Sequence, residues 1–414
     1  MYTGIGGKSL FGRTVEEFLN ASPIGQDRLI RKEVSLGQIR EIEPPQTHLG
    51  LQLVPWLDVP TDDVIFQYLT GDTDGLAPAR AEDAESELAQ KDETSLQEGR
   101  ASLIDWSLKD HYDPSDVNRY RELSRMIQAL QSGTLPLYVT SALEDWATKL
   151  ANDARRRRRK LDNRIEWLIM SALSDSVIAY NDGRIKFSVD YGRPTTQKAG
   201  HADNDLNAGT YARAAVTNGV IDFSGTTHDP IGQFSTIQEF MFDTYQVRID
   251  RVICSKKFLR RFVNSEKFAQ RAGLGTAWEG GVAGPPDPLY LVDGWGPDAA
   301  VRVVENATGL SFIEYDSVYR TRLIGSNTVT NNRFFPENRI LFLPNLQDLA
   351  EVDDTEIGFG RTLSSPHPEG NWVSGFYEWE KEDKDPWGTD RGNGVKAFPV
   401  FPHMEYTYAL DVTL

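Results

Sequence analysis

Cysteine is nearly absent from this sequence: Cys254 is the only one in 414 residues. A lone thiol excludes an intramolecular disulfide and any thiolate metal cluster built within one chain. No apolar run approaches the roughly eighteen continuous residues that a membrane-spanning helix needs. The opening, MYTGIGGKSLFGRTVEEFL, has no basic stretch followed by an apolar run, so a secretory signal is not expected there. These absences predict a reducing, aqueous compartment and no membrane partner. Positive charge is also short, with 44 Lys and Arg against 61 Asp and Glu, a formal net charge of −17. An acidic surface repels phosphate, so a broad nucleic-acid-binding face is not expected. A protein that merely encloses nucleic acid meets no such objection.

The usual signatures of catalysis are missing too. Gly4, Gly6, Gly7, Lys8 and Ser9 superficially suggest a phosphate loop, but its first glycine would fall at Tyr2 and no apolar strand precedes it. His48, His111, His201, His228, His367 and His403 are scattered, without metal-binding spacing or an HExxH segment, and read as structural or surface groups. No Gly-x-Ser-x-Gly elbow supports a serine nucleophile. Acids abound, as in Asp353, Asp354 and Glu356 and from Glu378 to Asp385. Two carboxylates about 5–10 Å apart could serve a glycosidase, with the nine tryptophans as sugar platforms. Lys381 and Lys384 interleave these acids as on a solvated face, so a carboxylate-dependent glycoside hydrolase is the minor reading. No enzyme activity, cofactor or metal site is expected.

What is present suffices for a folded protein. Hydrophobic residues make up 39% and charged residues 25%, and the length allows two or three core-bearing units. Residues 1–75 carry a capping box at Thr14 and Glu17 before a short helix, Val15 to Asn20, then prolines among short apolar runs, and read as an extended arm. Residues 76–112 read as a loop whose stretch from Glu82 to Glu98 holds seven acids and a single lysine. Asp113 and Pro114 open a helix that Gly133 and Pro136 end. Ser141 and Glu144 form a second capping box, from which a helical pattern runs to about Ser176, roughly 50 Å long. Arg184 to Tyr191 alternates like a strand, and residues 195–233 read as loop. An α/β pattern follows, with helix IQEFMFDTY, strand RIDRVIC, helices KKFLRRFV and EKFAQRA, and strands at Ala300–Val304, Ser311–Tyr315 and Arg339–Leu343. Residues 357–394 read as loop, and Val395 to Leu414 returns to strand. Cys254 ends an apolar strand and reads as a buried, inert packing residue.

The sharpest feature lies within the long helix. Arg155, Arg156, Arg157, Arg158, Arg159 and Lys160 are consecutive and circle the whole helix surface, so no single face hides them. Three readings stand: a nucleic-acid patch, a solvated face, or pairing across subunits with acidic segments. The last is expected, because the chain is acidic and apolar turns flank the run. A neighbouring copy's loop, with Glu82, Asp83, Glu85 and Glu87, is the candidate source of partners.

The order of these elements resembles the lambda-like major capsid proteins, the phage capsid protein E family. The resemblance rests on the helix ending NRIEWLIMSAL and on the Asp190-Tyr191-Gly192-Arg193 segment after strand RIKFSVDY. It rests further on FFPENRILFLP from Phe334 to Pro344 and on the late passage GFGRTLSSPHPEGNWVSGFYEWEKEDKDPWGTD. It covers about residue 140 to the end and implies an α+β, Hong Kong 97-type capsid fold. Mapped here, it implies an N-terminal arm over 1–75 and an extended acidic loop over 76–112. A peripheral domain would span 113–235, with a spine helix at about 141–176. An axial α/β domain would span 236–394, and a terminal strand, 395–414, would return to the peripheral domain. The implied function is a shell subunit assembling into pentamers and hexamers of an icosahedral head around double-stranded DNA, without sequence-specific binding. The implied partners are further copies of itself, then a scaffolding protein, a portal and a decoration protein. The implied location is the virion, with assembly in the host bacterial cytoplasm. An encapsulin-like nanocompartment shell would share the fold and is the alternative.

Overall fold

The computed structural model describes residues 40, 45–70, 95–116, 118, 122, 137–182, 185–207, 210–211, 216–222, 230–263, 297–322, 328–352, 357–384 and 387–413. In chain order its main elements are α1 (Gly50–Leu53), β1 (Trp56–Asp58), β2 (Asp63–Thr70), β3 (Ser95–Ser102), β4 (Asp105–Tyr112), α2 (Leu137–Asp175), β5 (Val177–Asn181) and β6 (Lys186–Asp190). Next come β7 (Val216–Thr217), β8 (Val220–Asp222), α3 (Pro230–Tyr245), β9 (Ile249–Cys254), α4 (Lys256–Val263), α5 (Pro297–Thr308), β10 (Ser311–Glu314), β11 (Val318–Arg322) and β12 (Val329–Arg333). The chain closes with β13 (Arg339–Pro344), α6 (Leu346–Val352), β14 (Arg361–Ser364), β15 (Phe376–Lys384), β16 (Trp387–Val400) and β17 (Tyr408–Thr413).

Two sheets and one long helix organise these elements. The 39-residue α2 extends about 58 Å at 1.5 Å per residue. Leu161, Ile165, Leu168, Ile169, Ala172 and Leu173 recur at helical spacing and are buried with Trp106, Phe376, Val395 and Phe398 of a five-stranded sheet. Each such large apolar side chain contributes about 1.5–3 kcal/mol by leaving water. In that sheet β16 is central, since β15 and β4 both pair with it over residues 389–395 and therefore lie on its opposite edges. The second sheet has six strands in the order β10-β9-β13-β17-β8-β7. Ile340, Phe342, Tyr408 and Leu410 face a core built with α3, α4 and α5. Their alternates Leu341, Leu343 and Ala409 face the core of α2. Burial on both faces explains why RILFLP is a continuous apolar run rather than an alternating one.

The strands RIDRVIC and RILFLP and the helices of IQEFMFDTY and KKFLRRFV lie where expected, while several boundaries differ. α2 already includes Leu137, four residues before the expected Ser141. Residues 300–304 are not a strand but part of helix α5. Pro297 at its first turn and Gly309 just past its end, with φ +70°, were the helix signals. Residues 357–394 are not loop, because β14, β15 and most of β16 lie there. Gly392 and Gly394 read as loop residues, yet the rings of Trp379 and Tyr377 lie where their β-carbons would be. These glycines make room for aromatic cover on a strand. Within 76–112, residues 95–102 and 105–112 are strands, and within 1–75 the strand β1 joins the five-stranded sheet. β17 lies inside the six-stranded sheet, between β13 and β8, with Ala409 on the core of α2. The expected helices Val15 to Asn20 and EKFAQRA fall outside the described residues, as do Gly4 to Ser9.

Candidate functional site

The cationic run of α2 divides into a buried pair, a half-buried Arg155 and three exposed cations. Arg157 is 2% exposed. Its Nε donates to Asn393 Oδ1 (2.9 Å) and a terminal nitrogen to Asp110 Oδ2 (2.7 Å), while Glu378 lies 3.9 Å away. Glu378 in turn pairs with buried Arg391. Arg158 Nε donates to both oxygens of Asp162, one turn on, at 3.0 and 3.2 Å, and its guanidinium lies over the ring of Phe376. Burial pushes the Asp162 carboxyl up to about 6 against the pull of Arg158, and burial also lowers the Arg158 guanidinium. Arg156 is exposed and reaches Asp153 (3.2 Å) and Asp110 (3.5 Å). Arg155 is half-buried, and Arg159 and Lys160 are exposed. The inward members thus find carboxylates in their own chain. Asp162 was legible from its i,i+4 spacing. Asp110 and Glu378 lay in stretches read as loop and only the sheet brings them near. Glu82, Asp83, Glu85 and Glu87 fall outside the described residues.

Two further polar joints fix α2 to its surroundings. Glu166 is fully buried and accepts from the backbone N–H groups of Leu49 (2.9 Å) and Gly50 (2.9 and 3.0 Å) and from the hydroxyl of Tyr315. Burial raises its carboxyl above the ordinary range while these donors pull it down. At the C-terminus of α2, Asp190-Tyr191-Gly192-Arg193 forms a turn in which Asp190 Oδ1 accepts from Gly192 N (2.9 Å), with Gly192 at φ +76°. The turn sends Arg193 beneath the helix end, where it donates to the carbonyls of Leu173 (2.6 Å) and Ser174 (3.1 Å) and to Thr407 Oγ1 (2.8 Å). A cation there meets the unsatisfied carbonyls and the negative end of the helix dipole. Burial draws its pKa down to about 9.

Among the described residues no group of three His, Cys, Asp or Glu side chains is placed to hold a metal ion. His48 and His403 are buried, and His367 stacks on Tyr377. No described helix is long and apolar enough to cross a membrane. Cys254 is fully buried in the second core, and burial raises its thiol well above the usual range. The remaining feature is of another kind: two-stranded ribbons. β2 pairs only with β3, and β11 only with β12, among the described residues.

Two joined cores, a long polar-jointed helix and ribbons outside the main sheets describe a building subunit, and the comparisons identify the building. The chain belongs to the phage major capsid protein E family, whose profile matches residues 36–352, more than three quarters of its length. It is a structural protein of the virion, and its role is that of a capsid shell subunit. The fold is similar to that of a protein assigned as a prophage capsid protein of Escherichia coli, at 13% identity, 92% of this chain, 97% of that one and a TM-score of 0.49. A phage-related protein of Bordetella bronchiseptica is similar at 13% identity, 92% and 96% coverage and a TM-score of 0.45. An encapsulin complex of Synechococcus elongatus is similar at 10% identity, 90% and 88% coverage and a TM-score of 0.34. No curated protein matches the chain.

Proposed function

We propose that this subunit forms pentamers and hexamers of an icosahedral head that encloses double-stranded phage DNA without sequence-specific binding or catalysis. The observation that favours this is the ribbon β2–β3, in which Ile65 is 58% exposed. A two-stranded ribbon is marginal alone in water, and it gains apolar cover when it lies on a neighbouring subunit. The segment 71–94 joins its strands and holds most of the acids of the run from Glu82 to Glu98. In this reading Glu82, Asp83, Glu85 and Glu87 meet the exposed Arg159 and Lys160 of the next copy. The peripheral domain is then the unit of α2 and the five-stranded sheet, and the axial domain is the unit of the six-stranded sheet. A net charge of −17 keeps the lining from sticking to packaged DNA. Assembly takes place in the host bacterial cytoplasm with a scaffolding protein, a portal and a decoration protein as partners, and without a membrane.

Electron microscopy of particles purified from expressing cells, with their absorbance ratio at 260 and 280 nm, tests the proposal. Expected are angular heads that hold DNA when the packaging machinery is present. Thin shells loaded with protein cargo and never with DNA would make it a nanocompartment instead. Hydrogen exchange over 63–102 is expected to be fast in isolated capsomers and slow in shells, and equal exchange in both would remove the ribbon's role.

A further inference from the structure

Trp372 is 71% exposed and its neighbour Val373 51%. They stand on the loop between β14 and β15, where Asn371 and Trp372 both take the left-handed backbone region, with φ of 59° and 56°. A bulky side chain is strongly disfavoured there, because its β-carbon crowds the backbone. The surroundings impose the conformation. The N–H of Trp372 donates to the His367 carbonyl (3.2 Å), and His367 stacks on Tyr377 with centroids 3.9 Å apart. Arg40 donates to the carbonyls of Gly370 (3.3 Å) and Val373 (3.5 Å). A strained backbone that holds an indole in water points to a contact that the isolated chain does not make.

The same chain carries a matching hollow. A groove of about 850 Å³ is walled by α2, β4, β5 and β11, with Trp167, Tyr180 and Tyr319 among its lining residues. Arg164 lies in it, 5.0 Å from the ring centroid of Tyr180 and 5.3 Å from that of Trp167. A guanidinium flanked by aromatic rings suits a further indole by stacking and cation–π attraction. The groove's exposed rim is net basic, with Lys160, Arg320 and Arg322 against one acid, Asp182. The edge that bears Trp372 is net acidic, with Glu369 on the loop and Glu380 and Glu382 along β15 against the cation Lys381. The loop leads into β15 and the groove borders β4, and these strands flank β16 on opposite edges. A projection on one edge and a complementary hollow on the other make a head-to-tail contact, the kind that closes into rings.

Resting on the shell role, we propose that Trp372 of one copy seats in the groove between α2 and the β11–β12 ribbon of the next copy. The acidic edge of β15 then faces the basic rim. The contact is an anchor in the sense that one buried aromatic side chain carries much of the affinity.

Cys254, the only native thiol, is buried, so two introduced thiols can report the contact. Val373→Cys and Thr321→Cys together, in assembled shells treated with a short bis-maleimide, are expected to give a ladder of linked chains on a denaturing gel, with no ladder from either single variant. No ladder from shells whose unassembled subunits alkylate at both positions would overturn the proposal. So would a ladder from a single variant. A wild-type chain that never forms particles would instead fail the shell reading, and microscopy separates that outcome from a missing ladder. Trp372→Gly removes the indole and relieves the left-handed backbone, so folding is not at stake. It is expected to raise the subunit concentration at which shells form by about tenfold or more, and an unchanged threshold would overturn the proposal. Normal shells from Trp372→Gly, with loss of 260 nm absorbance in shells of Arg320→Glu/Arg322→Glu, would assign the groove to nucleic acid and also overturn it.

Discussion

Exchanging the Arg158–Asp162 pair for apolar side chains of similar size, Arg158→Met with Asp162→Leu, is expected to stabilise the folded subunit. Both side chains are out of water, 6% and 0% exposed. Burial lowers the guanidinium and raises the carboxyl to about 6 from 3.8, so their attraction at 3.0 Å does not offset the loss of hydration of either ion. A two-unit rise corresponds to roughly 3 kcal/mol disfavouring the ionised carboxylate in the fold. Replacing buried pairs by apolar residues commonly gains about 1–4 kcal/mol, and about 2 kcal/mol is expected here. Phe376, whose ring lies against Arg158, offers the methionine sulfur an aromatic contact. The single change Asp162→Ala leaves a buried cation without its carboxylate and is expected to lose about 3–5 kcal/mol. The raised carboxyl also sets a pH signature. Its contribution is fully present below about pH 4 and is lost as pH rises through about 6, so the double variant's advantage over wild type grows across that window. Urea unfolding of unassembled subunits, followed by far-ultraviolet circular dichroism from pH 4 to 7, measures both quantities. A double variant as unstable as Asp162→Ala, or an advantage that stays flat with pH, would refute the reasoning.

Other changes separate packing from assembly. Gly50→Ala brings a β-carbon to 2.5 Å from Glu166 Oε2 and is expected to destabilise the subunit by about 1–3 kcal/mol, read from the same unfolding curves. Cys254, buried with its thiol raised by burial, is expected to resist iodoacetamide until the chain unfolds, and Cys254→Ala is expected to leave particle yield and shape unchanged in micrographs. Arg159→Gln with Lys160→Gln is expected to leave the unfolding midpoint in place but weaken assembly and make it less dependent on salt. Arg157→Gln, which empties a buried network, is expected to lower the midpoint on its own.

Where the sequence was silent or misleading, the missing information was spatial. The Arg155 to Lys160 run showed that cations would point inward, because six consecutive residues exceed a helical turn. The expected partners were acids of a neighbouring copy; the i,i+4 spacing could have pointed to Asp162, but nothing local points to Asp110 or Glu378. These are 47 and 221 residues away along the chain, counted from Arg157, and reach it only because β4 and β15 flank β16. Gly392 and Gly394 read as breaks because a glycine signals freedom locally, whereas here aromatic rings from the neighbouring strand occupy the space. The alternation of Ala300, Val301, Val303 and Val304 with Arg302 suited a strand as well as a helix, and the capping residues decided for the helix.

The sequence by itself determined the class of the protein: acidic, with one cysteine, a helix of exceptional length and an order of elements that marks the capsid family. Those properties depend on composition and on periodicities within a few turns, which local chemistry dictates. Only the tertiary structure decided that the arginine run is half structural and half surface, that Glu166 and Arg193 secure α2 at two joints, and that Trp372 stands exposed across a sheet from an aromatic groove. Each is a meeting of segments far apart in the chain. Such meetings are set by which strands pair and which faces are buried together, and no local pattern records them.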